Sequence, residues 1–194
     1  MKNTLFPPTL ILSLALLLFS CSAEDADDLQ AENLKATNLV VYNAEDLEGT
    51  WDLYTMNSNV AVDFNGDNVA NKDIMVETNC FDTMFYDFNS TGHVTATQAK
   101  LHINTTGIAS CDTGVYSSPY KLEGDMLTVS FHDKNGTLRT TTKQIKLTEN
   151  NQFLHLSLSR FEASAYIKDD SGNSTAVIDT IATVYKKRVI SPAG

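Results

Sequence analysis

The side chains that could do chemistry are concentrated in one short segment, between Asp63 and Asp73. Oxygen-bearing side chains stand at the first, third, fifth and ninth positions of this segment: Asp63, Asn65, Asp67 and Asn71. That spacing can wrap a hard cation such as Ca²⁺, with a backbone carbonyl as a further ligand. The sequence therefore predicts a calcium loop, and Asp73 completes the candidate ligand set.

This loop departs from the EF-hand pattern at two positions. Asn68 stands where a glycine makes the sharp turn, and Ile74 stands where a bidentate glutamate is expected. Asparagine tolerates the left-handed backbone conformation, and either Asp73 or Glu77 is available to close the site. The alternative is a polar hairpin loop whose Asp and Asn side chains accept hydrogen bonds from their own backbone.

No other arrangement of residues in the sequence predicts catalysis. The chain has no glycine-rich phosphate loop, no nucleophile elbow and no recognisable Ser/His/Asp set. Neither Cys80 nor Cys111 has a histidine beside it to act as a base. The histidines lack metal-ligand spacing and are scattered along the chain: His93, His102, His132 and His155. We therefore predict that the protein is not an enzyme and requires no cofactor other than the candidate Ca²⁺.

The N-terminus has the features of an export signal. A short positive start is followed by an apolar run from Leu10 to Phe19, which is too short to span a hydrocarbon core of about 30 Å. The segment Leu18-Phe19-Ser20-Cys21 resembles the lipobox of bacterial lipoproteins. The resemblance implies cleavage after residue 20 and acylation of Cys21, by palmitate among other chains, which would anchor the protein in a bilayer. The alternative is an ordinary cleaved signal with a chance cysteine.

An acidic, polar stretch follows the lipobox. Residues 21–42 contain Glu24, Asp25, Asp27 and Asp28 but only one basic residue, Lys35, which is typical of a solvated, self-repelling tether. An acidic cluster after a lipidated cysteine also resembles the signal that sends some Gram-negative lipoproteins to the outer leaflet. We expect an outer-membrane lipoprotein of the bacterial envelope, and both surface exposure and a simple spacer role for the tether stay open.

The composition limits the class of protein. The chain carries 14 Lys and Arg against 24 Asp and Glu, a formal net charge of -10, which argues against a nucleic-acid partner because phosphate binding needs basic side chains. With 42% hydrophobic and 20% charged residues, it has the composition of a globular domain. Cys80 and Cys111 are expected to form a structural disulfide in an oxidising envelope compartment.

From residue 49 onward the sequence predicts β structure throughout. Eight or nine short strands joined by hairpin-type turns require a closed barrel or a sandwich, and the order of the turns favours an up-and-down meander. One strand begins at Leu154 and is expected to continue through Tyr166, and no helix is expected after residue 50. We therefore predict an all-β, antiparallel, up-and-down eight-stranded barrel.

Gly49-Thr50-Trp51 and the preceding residues 43–48 resemble the Gly-x-Trp strand and short helical plug that begin lipocalins and lipocalin-like domains. With the lipobox, the acidic tether, the Asp/Asn-rich loop, Cys80 and the final Val-Tyr-Lys-Lys, residues 17–187 resemble the lipocalin-like lipoproteins of bacterial outer membranes. In that family a basic residue of the last strand packs over the Trp. The resemblance implies that Gly49, Trp51 and Arg188 close the barrel, and Lys186 and Lys187 are alternatives to Arg188.

The predicted organisation is a signal peptide (1–20), an acidic tether (21–42), a lipocalin-like barrel (43–189) and a short tail (190–194). An eight-stranded barrel is wide enough for its own side chains or for one small ligand. We therefore expect a lipid-anchored protein that binds a small apolar ligand in the barrel, through residues that the sequence does not identify. The alternative is an envelope protein with a filled barrel that docks a protein or glycan partner.

Overall fold

The computed structural model describes residues 40–132, 136–170 and 178–189. The predicted signal peptide, Cys21, almost all of the predicted tether and the tail after residue 189 lie outside these ranges. Within the described ranges, no helix is long and apolar enough to cross a membrane.

The described residues form eleven strands and three short helices. The strands are β1 (Gly49–Val62), β2 (Asn71–Asp73), β3 (Phe85–Phe88), β4 (His93–Ile103), β5 (Ala109–Glu123), β6 (Met126–His132), β7 (Leu138–Gln144), β8 (Lys146–Thr148), β9 (Phe153–Ser159), β10 (Ile167–Asp169) and β11 (Thr180–Lys187). The helices are α1 (Ala44–Leu47), α2 (Ile74–Glu77) and α3 (Arg160–Tyr166).

The strands form one sheet in the order β7-β6-β5-β4-β3-β1-β11-β9-β8, to which β2 is added on β1 and β10 on β4. Each pairing is antiparallel except that of β10 with β4. The predicted all-β, antiparallel architecture is therefore confirmed. Neighbours in the sheet are mostly neighbours in sequence, as expected for a meander built from hairpins.

The prediction of eight strands in a closed barrel is not confirmed, because the sheet has eleven strands and its path ends at β7 and β8 without a ladder between them. The additional strands have three residues each: β2, β8 and β10. Ile145 separates β7 from β8 because its N–H donates to the carbonyl of Asp125 instead. We name the unpaired boundary between β7 and β9 the seam. There the Lys143 ammonium of β7 donates to the Ser157 carbonyl of β9 at 3.2 Å, so a side chain spans the seam.

The predicted strand from Leu154 to Tyr166 is wrong beyond Ser159, where α3 begins. The Glu162 carboxylate accepts hydrogen bonds from the Ser159 N–H at 2.9 Å and from the Ser159 hydroxyl at 2.7 Å. Ser159-Arg160-Phe161-Glu162 therefore has the S-x-x-E pattern that marks a helix N-terminus. The alternating leucines of β9 end at this cap.

The core follows the alternation of the strands. In β1 the buried residues are Trp51 and Leu53, and then Met56, Ser58 and Val62. The spacing changes because the pairing of β1 with β11 has a bulge between Leu53 and Thr55, and an extra residue reverses the alternation of faces. The bulge allows one long strand to keep a buried face over most of its length.

The two remaining cysteines form the predicted disulfide, which is confirmed. Cys80 precedes β3 and Cys111 lies in β5, with a Cα–Cα distance of 5.5 Å. The bond closes a loop of 31 residues, which in the chain-entropy model stabilises the folded state by about 3 to 4 kcal/mol. It attaches the first half of β5 to the segment between α2 and β3.

Candidate functional site

A buried tryptophan and the short helix before it cover one end of the sheet, which we name the closed end. The side chain of Trp51 is fully buried, and its indole N–H donates to the carbonyl of Leu47 at 2.7 Å. Leu47 is the last residue of α1 and is also fully buried. Helix α1 begins where the Asn43 N–H donates to the Asp46 carboxylate at 2.8 Å, a capping-box contact. The predicted helical plug is therefore present.

A lysine of the last strand covers this tryptophan. The Lys187 ammonium lies 5.0 Å from the centroid of the Trp51 ring and donates to the Asp46 carbonyl at 3.2 Å. Trp51 and Lys187 are direct cross-strand partners. Gly49 has φ +111°, and a Cβ there would lie 3.3 Å from Cε of Lys187. Glycine is required at this position because of both its conformation and the approach of the lysine.

Lys187, and not the predicted Arg188, therefore packs over the tryptophan. The Arg188 guanidinium instead makes a two-point contact with the Asp52 carboxylate, with Nε–Oδ2 at 2.9 Å. Successive side chains of an extended segment point to opposite faces, so residues 187 and 188 cannot both face Trp51. The register of β1 with β11 assigns the buried face to Lys187.

A row of aromatic rings begins beside the tryptophan. Tyr86 of β3 is the cross-strand partner of Trp51. Its ring centroid lies 4.6 Å from that of Tyr185 and 5.9 Å from that of Phe88. Phe88 in turn makes an edge contact with Tyr120 at 5.1 Å. These separations are in the range of favourable aromatic pairs, so the row forms a continuous apolar surface through the sheet.

Three tyrosine side chains interact at one end of this row. Burial raises the pKa of Tyr86, and hydrogen bonding to Tyr185 and Tyr166 lowers it in part. Burial also raises the pKa of Tyr166 and of Tyr185 well above the usual range. All three are therefore neutral phenols at physiological pH, and each can donate and accept a hydrogen bond. We name Tyr86, Tyr166 and Tyr185 the tyrosine cluster.

The tyrosine cluster lies deep in the protein but is not completely covered. Tyr185 is only 2% exposed, whereas Tyr86 and Tyr166 are half-buried. A side chain in the interior that retains exposed surface is typical of the lining of a cleft, and apolar walls with a few convergent polar groups are typical of small-molecule sites.

Helix α3 supplies Tyr166 and covers this part of the sheet. It packs on β4, β9 and β11, with Ala163 buried. Its Glu162 forms an ion pair with Lys143 of β7. Partial burial alone would raise the pKa of Glu162, but hydrogen bonds from Lys143 and Ser159 outweigh it, so the pKa is lowered. The carboxylate therefore stays charged and connects α3 to the strand on the other side of the seam.

The candidate calcium loop is ordered by its own side chains. The Asp63 carboxylate accepts from the N–H groups of Gly66 at 2.7 Å and Asn68 at 2.9 Å. The Asp67 carboxylate accepts from the Val69 N–H at 2.7 Å, and the Asn65 side-chain oxygen accepts from the Asp67 N–H at 2.9 Å. Asn68 has φ +69°, the left-handed conformation expected for it. These contacts match the polar hairpin alternative.

Glu77, and not Asp73, is turned toward this loop. Asp73 caps α2 by accepting from the Met75 N–H at 3.1 Å. The Glu77 side chain is buried, accepts from the Phe64 N–H at 3.2 Å and contacts the Asn71 amide. Among the residues that the structure describes, no group of three or more His, Cys, Asp or Glu side chains is placed to hold a metal.

A surface cleft of about 290 Å³ lies beside the closed end. Its walls include Asp52, Tyr54, Lys186 and Arg188. The Lys186 ammonium lies 5.6 Å from the centroid of the Tyr54 ring and 5.8 Å from that of Phe153. The cleft therefore combines partly exposed aromatic surface with paired charges.

The sequence did not single out the tyrosine cluster. Tyr86, Tyr166 and Tyr185 belong to β3, α3 and β11, and they meet only when the sheet has formed. The one local signal was the S-x-x-E pattern at Ser159, which marks the start of the helix that carries Tyr166. Each of the three histidines with a described side chain has its own partner: His93 contacts the Thr91 carbonyl, His102 the Asp170 carboxylate and His155 the Thr148 hydroxyl.

Comparison with known proteins gives one family match. The model of the lipocalin-like domain family matches residues 47–151, more than half of the 194-residue chain. Among solved structures, the crystal structure of a lipocalin-like protein from Bacteroides uniformis is similar with 16% sequence identity and a TM-score of 0.35. That match covers 74% of this chain and 99% of the other. No curated protein matches the chain.

Replacing Lys187 by Met tests the closed end. The variant retains the apolar stem but loses the charge over Trp51 and the hydrogen bond to Asp46. We expect the free energy of unfolding to fall by about 1 to 2 kcal/mol, measured by urea denaturation. Lys186→Met is the matched control, since the ammonium of Lys186 lies over Tyr54, which is itself exposed, and its loss should cost less than about 0.5 kcal/mol. Equal losses in the two variants would contradict the assignment.

Proposed function

Because the chain belongs to the lipocalin-like domain family, we propose that it is a non-enzymatic binding protein that takes one small, mainly apolar ligand inside its sheet. The observation that carries the proposal is the tyrosine cluster: three neutral hydroxyls at the end of a row of aromatic rings. The proposal includes a barrel-like interior, for which the side-chain contact from Lys143 to Ser157 across the seam is the support.

The chemistry of the interior indicates what kind of ligand would fit. The rings of Tyr185, Tyr86 and Phe88 present apolar surface, and the Glu162 charge that acts on Tyr86 and Tyr166 is already paired with Lys143. A ligand with an apolar body and one hydrogen-bonding group would satisfy the tyrosine hydroxyls while burying its body against the rings. A charged headgroup would be unfavourable there, because burial without a paired charge costs several kcal/mol.

We further propose that the domain is held at the outer membrane of a bacterial envelope by acyl chains on Cys21, with residues 21–42 as the tether. The support is the resemblance of Leu18-Phe19-Ser20-Cys21 to a lipobox and the acidic composition after it. The confirmed disulfide between Cys80 and Cys111 agrees with an oxidising compartment.

A second candidate function is docking of a protein or glycan partner on the outer surface, with the interior filled by side chains. The cleft beside Tyr54 favours it, because an aromatic face next to charged and polar groups can contact a sugar or a peptide. Several of the largest side chains are also fully buried, among them Trp51, Phe81 and Met56. In the first candidate the ligand contacts Tyr86 inside the sheet, and in the second the partner contacts Tyr54 on the surface.

The two candidates can be separated with a neutral apolar probe, N-phenyl-1-naphthylamine, whose fluorescence rises in apolar surroundings. We expect saturable binding of one probe per chain, weakened about fivefold by Tyr86→Phe, because the variant loses one hydrogen bond of about 1 kcal/mol. Tyr54→Phe is the matched control and should leave the affinity unchanged. Absence of saturable binding, or a loss confined to Tyr54→Phe, would count against an interior site.

The anchor is tested by the mass of the N-terminal peptide of protein purified from bacterial membranes. We expect the peptide to begin at Cys21 and to carry the mass of its acyl chains, and Cys21→Ser should release the protein from the membrane fraction. An N-terminal peptide that begins elsewhere, or an unmodified Cys21, would contradict the anchor.

We also propose that the loop from Asp63 to Asp73 binds Ca²⁺, with Glu77 in place of Asp73 as the closing ligand. The support is the burial of the Glu77 carboxylate against the backbone of Phe64 and its contact with Asn71. The donors would be carboxylate, side-chain amide and backbone oxygens, the ligands that Ca²⁺ prefers. Bound Ca²⁺ would stiffen the connection between β1 and β2.

Calorimetric titration of the protein with Ca²⁺ checks the loop. We expect one site with a dissociation constant of about 0.1 to 1 mM, the range of extracellular calcium modules. Glu77→Gln should abolish the heat, and Asp125→Asn, in the turn between β5 and β6, should not change it. No heat at millimolar Ca²⁺, or the same heat in Glu77→Gln, would refute the assignment.

A further inference from the structure

Helix α3 and strand β10 form one continuous segment that connects two separate parts of the sheet. The segment begins directly after Ser159 of β9, packs on β11 and ends beside β4, where Ile167 lies opposite Leu101. Along the sheet path, β9 and β4 are separated by β11, β1 and β3. The segment therefore spans this part of the sheet, and we name residues 160–170 the strap.

The strap lies on the face of the sheet that carries the tyrosine cluster. Its Tyr166 interacts with Tyr86 of β3 and with Tyr185 of β11. Tyr185 belongs to the buried face of β11, together with Ile181 and Thr183. Because alternate side chains of a strand share one face, Tyr166 approaches the cluster from the interior. A ligand that contacts the cluster must therefore lie between the strap and the sheet.

The pairing that attaches β10 to the sheet is short. Strand β5 pairs with β4 along one edge, from His93 to Ile103. On the other edge of β4, β3 covers residues 94–97 and β10 covers residues 101–103. The pairing of β10 is parallel, which is slightly less stable per residue than an antiparallel pairing. Few backbone hydrogen bonds therefore hold this end of the strap.

The strap also buries little apolar surface. In α3 only Ala163 is buried, and Phe161 is 86% exposed. Strand β9, directly before it, has three buried leucines in seven residues. Stabilisation by apolar burial scales with the buried area, and segments with few buried apolar contacts open locally while the rest of a protein stays folded. We therefore expect the strap to open more readily than the sheet beneath it.

Charged contacts fasten the strap near both of its ends. In the first turn of α3, Glu162 pairs with Lys143 of β7 across the seam. After β10, the Asp170 carboxylate lies 2.9 Å from Nε2 of His102 and 2.6 Å from the Lys168 ammonium. All these side chains are partly exposed, and exposed ion pairs are weak. Such contacts can break and re-form without unfolding of the core.

We propose that the strap is the gate of the interior site: it opens locally to admit and release the ligand, and its closure places Tyr166 against the bound ligand. This inference rests on the proposed binding of a small apolar ligand beside Tyr86. The gate provides a route to Tyr185, which is only 2% exposed with the strap in place. Closure would also exclude water, which strengthens hydrogen bonds between the tyrosine hydroxyls and the ligand.

The gate is tested by the rates at which N-phenyl-1-naphthylamine enters and leaves, followed by stopped-flow fluorescence. Glu162→Gln, which we name the latch variant, weakens both the cap of α3 and the pair with Lys143, so the strap should be open for a larger fraction of the time. We expect the association and dissociation rate constants both to rise about fivefold to tenfold. Their ratio, the dissociation constant, should change less than about twofold, because the strap closes over the empty and the occupied site alike.

Glu123→Gln is the matched control for the latch variant. It removes another exposed ion pair, which joins Glu123 to Lys121 at 2.7 Å within β5, outside the strap. Both rate constants should stay at the values of the unchanged protein.

A disulfide tests the gate in the opposite direction. His102 and Lys168 are direct partners in the pairing of β10 with β4, and the spacing of neighbouring strands suits a disulfide. In the double variant His102→Cys with Lys168→Cys, the oxidised form should exchange the probe at least about tenfold more slowly than the unchanged protein. The reduced form should exchange it faster, because Asp170 has lost both partners. The unchanged protein in the same reductant controls for the native bond between Cys80 and Cys111.

Hydrogen exchange measures opening of the strap without any probe. The Asp170 N–H donates to the Ile103 carbonyl at 2.8 Å, and the Ile167 N–H donates to the Ala163 carbonyl. Both amides should exchange faster than the Leu53 amide of β1, and about tenfold faster again in the latch variant. Bound probe should slow them in the unchanged protein.

The possible failures are distinguishable. Absence of saturable probe binding would refute the proposed function, and the gate with it. Saturable binding with rates that the latch variant and the oxidised disulfide leave unchanged, or that Glu123→Gln changes equally, would refute the gate alone. Strap amides that exchange as slowly as the Leu53 amide would also refute it, because the strap would then open only when the whole domain unfolds.

Discussion

The packing of Trp51 beneath Lys187 is the contact on which the rest of the domain depends. Trp51 joins α1 through its hydrogen bond to Leu47, β3 through its pairing with Tyr86, and β11 through its pairing with Lys187. These elements are far apart in sequence, so the contact fixes the register in which the first and last strands meet. The aromatic row starts from this register, because Tyr86 is positioned by Trp51.

The pairing of strands is interrupted at two places in the described part of the sheet. Between β7 and β9 the described residues form no ladder, and Lys143 spans the gap by its bonds to Ser157 and Glu162. Between β5 and β6 the ladder stops at Tyr120. Both openings expose backbone that a closed barrel would pair internally. At the end beside Trp51, by contrast, α1, β1, β3 and β11 are joined directly.

Local patterns predicted a large part of this fold, and tertiary register determined the rest. Gly49-Thr50-Trp51, the meander of hairpins and the disulfide were predictable because each depends on residue type and short-range order. The strands of three residues were not, because so short a pairing leaves no periodicity. The tyrosine cluster and the choice of Lys187 over Arg188 depend on how distant strands align, including a bulge in β1. The S-x-x-E pattern at Ser159 was readable in the sequence, but it directly follows the alternating leucines of β9, whose period favoured a longer strand.

The central claim is that the interior beside Tyr86 holds a small apolar molecule. It is tested most directly by native mass spectrometry of the protein purified from the membranes of the cells that make it, followed by extraction of any bound compound. We predict one compound per chain, with an apolar body and one hydrogen-bonding group, and a loss of that compound in Tyr86→Phe. A chain that is consistently free of any bound compound, or a compound retained equally by Tyr86→Phe and lost in Tyr54→Phe, would contradict it.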